Sequence, residues 1–136
     1  MTSPAKLFTP LLLLSIFFIS ACGSDPVELS DHKWRATSVT GASATNEKLA
    51  TLTLEFKGDQ EVVGYAGCNE YRGGATYNQK QIKFSTLYTD NSSCEDAALE
   101  RAFLKGLENS ATYIYQGRKL AIQDESGNIL VEMEQM

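Results

Sequence analysis

Between residues 50 and 57 the chain reads ATLTLEFK, with apolar and polar side chains alternating without a break. Ala50, Leu52, Leu54 and Phe56 fall on one face. Thr51, Thr53, Glu55 and Lys57 fall on the other. Period two is the pattern of a strand with one buried face. A slip of one residue would turn the whole apolar set to water, so such a strand holds its register. The pattern recurs down the chain. KWRATSVTG places Trp34, Ala36 and Val39 among β-branched residues and stops at Gly41. Gly58-Asp59 offers a tight turn into residues 62–66, which predicts a hairpin. ATYNQKQIKFS sets a polar turn at residues 78–80 between Tyr77 and the pair Ile82 and Phe84. Turns at Gln116-Gly117 and at residues 125–128 separate three further strands.

One segment reads as a helix. In SSCEDAALERAFLKGLENS, Leu99, Ala102, Phe103 and Leu107 stand at i, i+3, i+4 and i+8, which makes a single apolar stripe. Ser92 with Glu95, or Ser93 with Asp96, has the spacing of a capping box. Early acids and Lys105 near the end suit the helix dipole. Strands, one helix and strands again predict a small single α+β domain: a strongly curved antiparallel β-sheet packed around one α-helix.

The first residues set the expected compartment. Lys6 precedes an apolar run over residues 11–19, well short of the about 20 residues a spanning helix needs. A basic start, a short apolar core and small residues read as an export signal. It ends Ile19-Ser20-Ala21-Cys22, which resembles a bacterial lipobox. The resemblance implies cleavage before Cys22, lipid on its thiol and acylation of the new amino terminus. Two or more acyl chains hold a protein firmly where one does not. Gly23, rather than an aspartate, follows, which favours the outer membrane. The expected organisation is a lipoprotein signal peptide over residues 1–21, a tether over 22–30 and one domain over 31–136, about 106 residues with room for one core. The full chain carries 12 Lys and Arg against 17 Asp and Glu; the signal removes one lysine and no acid, leaving 11 against 17, or −6. A net-acidic domain is a poor partner for nucleic acid, whose phosphates are met by Lys and Arg.

Cys68 and Cys94 remain once Cys22 is lipidated. An even pair in an exported domain reads first as a disulfide, with two buried free thiols as the alternative. A catalytic Cys68 lacks a base, since His32, at the domain edge, is the one histidine of the chain. Two cysteines 26 apart with no CxxC do not make a zinc site. Walker, GxSxG and EF-hand spacings are missing, so neither metal nor other cofactor is expected.

GYAGCNEYRGGATY resembles the GCN-x-[YF]-x-G motif of the META (HslJ-like) domain family, through Gly67, Cys68, Asn69, Tyr71 and Gly73. KWRATSVTG is similar to the opening strand of that family and LAIQDESGNILVE to its closing hairpin. The chain departs from the family before the helix, where a Thr-x-Met-x-Cys-like segment is replaced by the polar run Asp90-Asn91-Ser92-Ser93-Cys94. The resemblance implies a curved sheet around one helix. It brings loose associations with stress, drug tolerance and secretion, and no catalytic residues. The motif is thus expected to be structural: Gly67 and Gly73 permitting tight turns, Asn69 satisfying backbone groups, Tyr71 and Tyr77 in the core or at its rim.

The leading expectation is a non-enzymatic envelope lipoprotein, held at the membrane by the lipid on Cys22 and facing the periplasm, with an interaction or stress-related role toward another envelope protein. The alternatives are a binding module for a small apolar ligand, with tyrosines at its mouth, and an inhibitor or assembly partner of another exported protein.

Overall fold

The computed structural model describes residues 28–58 and 60–136. The expected export signal, Cys22 and Asp59 of the first hairpin turn lie outside them. Nine strands and two helices follow in the order β1 (Lys33–Val39), α1 (Asn46–Leu49), β2 (Thr53–Lys57), β3 (Glu61–Tyr65), β4 (Glu70–Tyr77), β5 (Ile82–Phe84), β6 (Tyr88–Thr89), α2 (Ala97–Glu108), β7 (Thr112–Gln116), β8 (Lys119–Gln123) and β9 (Ile129–Gln135).

All strand pairs are antiparallel, in the order β5-β4-β3-β2-β1-β9-β8-β7. β6 pairs with the first part of β4, ahead of β5 on the same edge. The two ends of the sheet meet. Gln81 bridges Thr112. Ile82 N–H donates to Ala111 O at 3.1 Å and Tyr113 N–H to Lys80 O at 3.0 Å. The result is a nearly closed, barrel-like sheet with few exposed backbone edges, which limits edge-to-edge association. Among the described residues no helix is long and apolar enough to cross a membrane.

The alternating strands bury the faces their sequences mark. Leu52, Leu54 and Val62 are fully buried, as are Leu120, Ile122 and Val131 on the other side of the barrel. In β1 the buried residues are Trp34, Ala36 and Val39, a spacing that breaks period two. A register shift against β9 between Ala36 and Ser38 accounts for it, since the extra residue of a bulge reverses which parity faces inward.

α2 lies against β9, β5 and β1 and sends Leu99, Phe103 and Leu107 into the core. Each such side chain removed from water contributes about 1.5–3 kcal/mol. Gly106 lets the helix approach: a Cβ there would stand 2.8 Å from Val131 Cγ2.

Several expectations need correction. The helix begins at Ala97, with Asp96 as its cap residue and no capping hydrogen bond from that side chain. Ser92 and Ser93 precede it and form no capping box; Asp96 pairs with Lys48 at 2.5 Å instead. α1 leaves no periodic signal in the sequence, because one turn is too short to show a period. Thr45 caps it, accepting from Lys48 N–H, and Ala50 is its C-cap and exposed, so the alternation starts at Leu52. The packed unit also reaches further back than residue 31. Leu29, assigned to the tether, is fully buried in a 3-10 turn over Leu29–Asp31, and its carbonyl accepts from Trp34 Nε1 at 3.2 Å.

Candidate functional site

The GCN segment joins β3 to β4 and faces the loop before α2. Gly67 sits at φ +90°, a conformation that side-chain-bearing residues rarely adopt. It carries Cys68 toward Cys94. The two form a disulfide with Cα atoms 5.9 Å apart, a separation ordinary for such a bridge. The bridge consumes both thiols and ties the β3–β4 turn to the helix entry.

Asn69, beside it, is buried and fully engaged. Its side-chain Nδ2 donates to Ser92 O at 3.1 Å, and its Oδ1 accepts from Ser92 N–H at 3.1 Å. The amide thus imitates a strand partner for one residue of a loop 23 positions away. Its backbone N–H donates to Glu100 Oε2 at 2.8 Å, and Nδ2 also reaches both carboxylate oxygens at 3.0 and 3.1 Å. Its carbonyl accepts from Ala66 N–H at 2.8 Å, closing the turn. Glu100 is a buried carboxylate whose contacts are donors rather than a cation. Such a group is tolerated only when its lone pairs are occupied.

The polar run 90–94 is explained by this arrangement. Residues 90–94 are exposed and held by the disulfide and by the Asn69 side chain, so no apolar anchor is needed there.

Tyr71 is the second buried residue of the motif. Its ring lies edge-on to Phe103, with centroids 5.9 Å apart, and its hydroxyl donates to Thr53 O at 2.7 Å. Burial pushes its phenol well above the ordinary tyrosine value. It lies across from Gly64, its register partner. A Cβ on Gly64 would be 2.1 Å from Thr53 O and 2.7 Å from the Tyr71 ring, so the glycine makes room for the tyrosine. Gly73 is not a turn residue as expected. It lies within β4, where a Cβ would meet Leu87 Cδ2 at 2.7 Å and Thr86 O at 2.9 Å. Its role is close approach. Tyr77 is half-buried, packs on Phe56 and donates its hydroxyl to the Glu28 carboxylate.

The structure therefore brings Gly67, Cys68, Asn69, Tyr71 and Cys94 together and adds two partners the sequence did not mark, Glu100 and Ser92. Glu100 stands between Leu99 and Arg101 in the helix, and no local signal separates it from a solvated acid. His32 packs edge-on against Trp34 at the start of β1. Among the described residues no group of three His, Cys, Asp or Glu side chains is placed to hold a metal ion.

A nearly closed antiparallel barrel with one main helix, stapled at the GCN turn, defines a small structural class. The chain belongs to the META domain family, whose model matches it over residues 27–136. It is similar in fold to a protein from Burkholderia xenovorans whose structure was determined by NMR, at 19% identity and a TM-score of 0.61, covering 98% of this chain and 99% of that one. A second NMR structure aligns at 16% identity and a TM-score of 0.59, covering 78% of this chain and 90% of that one. No curated protein matches the chain.

Proposed function

We propose that this META-domain protein is an exported, non-enzymatic lipoprotein that presents its barrel from a membrane to a partner in the cell envelope. In this reading, hydrolysis of the Ala21–Cys22 peptide bond frees the Cys22 amine. The Cys22 thiol carries a lipid as a thioether and the freed amine takes an acyl chain, which together anchor the protein. Gly23 after the cysteine favours the outer membrane, with the domain facing the periplasm.

The observation that carries the reading is the Cys68–Cys94 disulfide in a chain that opens with a lipobox-like segment. Disulfides persist in oxidising compartments, and both features call for export. The non-enzymatic part draws on how the motif is used: its thiols are bonded to each other, and Asn69 and Glu100 are occupied with one another. The net negative charge favours a protein or neutral partner over nucleic acid. An interaction or stress-related role is the form of activity such an anchored, rigid domain suits.

The test is fractionation of cells carrying Cys22→Ala. The wild-type protein is expected to sediment with membranes and the variant to leave them. A variant that still pellets with membranes and resists high-salt washing sinks the anchor.

A further inference from the structure

The outer face of the barrel carries a polar groove over Gly64, where of the motif residues Tyr71 alone is part of the lining. Glu55, Val63, Arg72 and Tyr88 are successive register partners across β2, β3, β4 and β6. They point outward, because Leu54, Phe56, Val62 and Tyr71, their neighbours in sequence, point in. Two residues along, Tyr65 pairs with Glu70 and its N–H donates to Thr53 Oγ1, while Asp90 follows β6. Between these two rows lies a groove of about 520 Å³, lined by Thr53, Tyr65, Glu70, Arg72, Tyr88 and Asp90 among others. That volume falls within the usual range for ligand sites.

Tyr65 and Tyr88 are 38% and 66% exposed and flank the groove. Among the described residues, no side-chain hydrogen bond or ion pair engages Arg72, Glu70 or Asp90. The adjoining ions on the same face behave differently: Glu55 pairs with Lys33 at 3.1 Å and with Lys57 at 2.5 Å. Thus one guanidinium, two carboxylates and two phenols converge on the groove with their bonding capacity open.

The geometry points to a neutral saccharide chain as the ligand of this groove. A sugar ring offers apolar C–H faces and hydroxyls that both donate and accept. Tyrosine faces suit the first, while carboxylates and a guanidinium suit the second by charge-assisted hydrogen bonds. Other ligand classes fit less well. A small apolar ligand needs a predominantly apolar lining, which this groove lacks. An extended peptide adds to a sheet by an open edge; here β3 lies between β2 and β4 and β4 between β3 and β6, and the one open edge beside the groove is that of β6, two residues long and too short to template a strand. A polyanion would meet two carboxylates against one guanidinium. This assignment gives a ligand class to the interaction role proposed above and rests on that reading only for where the ligand is met.

The test titrates the purified full-length protein, in detergent, with chitotetraose, cellotetraose and maltotetraose, read by amide chemical shifts. At least one is expected to shift residues 53, 63–65, 70–72 and 88–90 at millimolar concentration or below. Tyr88→Ala, at an exposed side chain, should weaken that binding about tenfold or more, and Arg72→Gln should weaken it too, whereas Ile129→Ala, at an exposed residue of β9, should not. Silence toward all three sugars overturns the proposal, as does binding that Tyr88→Ala leaves intact. Tighter binding of tetragalacturonate than of the neutral sugars overturns the charge argument and with it the ligand class. None of these outcomes touches membrane anchoring, which the Cys22→Ala fractionation reads separately.

Discussion

Asn69 spends its side-chain hydrogen bonds on one loop residue and one carboxylate. Asn69→Ala would strip Ser92 N–H and O of their partners and leave Glu100, 9% exposed, with a single backbone donor from position 69. An unpaired buried polar group costs about 1–3 kcal/mol, and more when charged. Urea unfolding is expected to show a loss of about 3 kcal/mol. The near-isosteric Asn69→Asp should fall at least as far, because it removes the donors and sets a second carboxylate against Glu100. Equal stability of Asn69→Asp and wild type would mean that shape, not hydrogen bonding, is what position 69 supplies. At this scale the sequence was informative where a residue type is rare and its options few. Cys68, Cys94 and Gly67 were legible for that reason. Glu100 was not, because a helical glutamate looks the same in sequence whether it meets water or a buried amide.

At the scale of elements, the contact of α2 with β9 turns on Gly106. Alanine is favoured over glycine inside a helix by about 1 kcal/mol. At position 106, however, its methyl would sit 2.8 Å from Val131 Cγ2, and overpacking costs roughly 1–3 kcal/mol. Gly106→Ala is therefore expected to lower stability by about 1 kcal/mol net in thermal or urea unfolding. A gain would show that α2 has slack against β9. The helix entry is held twice, by the disulfide and by Asn69. In the chain-entropy account, a bridge between residues 26 apart contributes roughly 3.5 kcal/mol. The double variant Cys68→Ala, Cys94→Ala should lose about that much yet keep its near-ultraviolet circular dichroism, since the Asn69 contacts remain. Loss of that signal would make the bridge a condition of folding rather than a support. Strands and hairpins were legible as elements because burial on one face imposes period two. The capping boxes misread because spacing alone does not place a helix start: α2 begins at Ala97, and the Ser92 backbone, upstream of it, is held by Asn69.

For the molecule as a whole, the phenols of buried Tyr71 and Tyr113 and half-buried Tyr77, Tyr71 above all, set a limit on the alkaline side. Burial, first of all causes, raises Tyr71, Tyr77 and Tyr113 above the ordinary tyrosine value of about 10. The unfolded chain ionises these groups near pH 10 while the folded one still holds their protons. Their contribution is thus complete below about pH 10 and is lost as pH rises toward the folded values. For a group that stays protonated in the fold, the slope is about 1.4 kcal/mol per pH unit. Tyr71→Phe removes a hydroxyl that donates to Thr53 O, so it should cost about 1 kcal/mol at neutral pH and flatten the loss above pH 10. Urea midpoints measured between about pH 8 and 11 check both parts. A wild-type curve that stays level across that range would place these phenols in water.

By itself the sequence determined the strand faces, the one main helix and the cysteines available for pairing. Each is fixed by local periodicity or by residue type, and both are written along the chain. Tertiary structure alone decided three further things. The ends of the sheet meet at Gln81 and Thr112. Leu29, expected outside the domain, belongs to the core. Glu100 and Ser92 complete the site of Asn69. All three depend on contacts between residues from 23 to 31 positions apart or on burial by the assembled barrel, which no local pattern encodes. The same division separates the GCN motif, readable as a family mark, from the outer groove, whose residues come together only through the register of four strands.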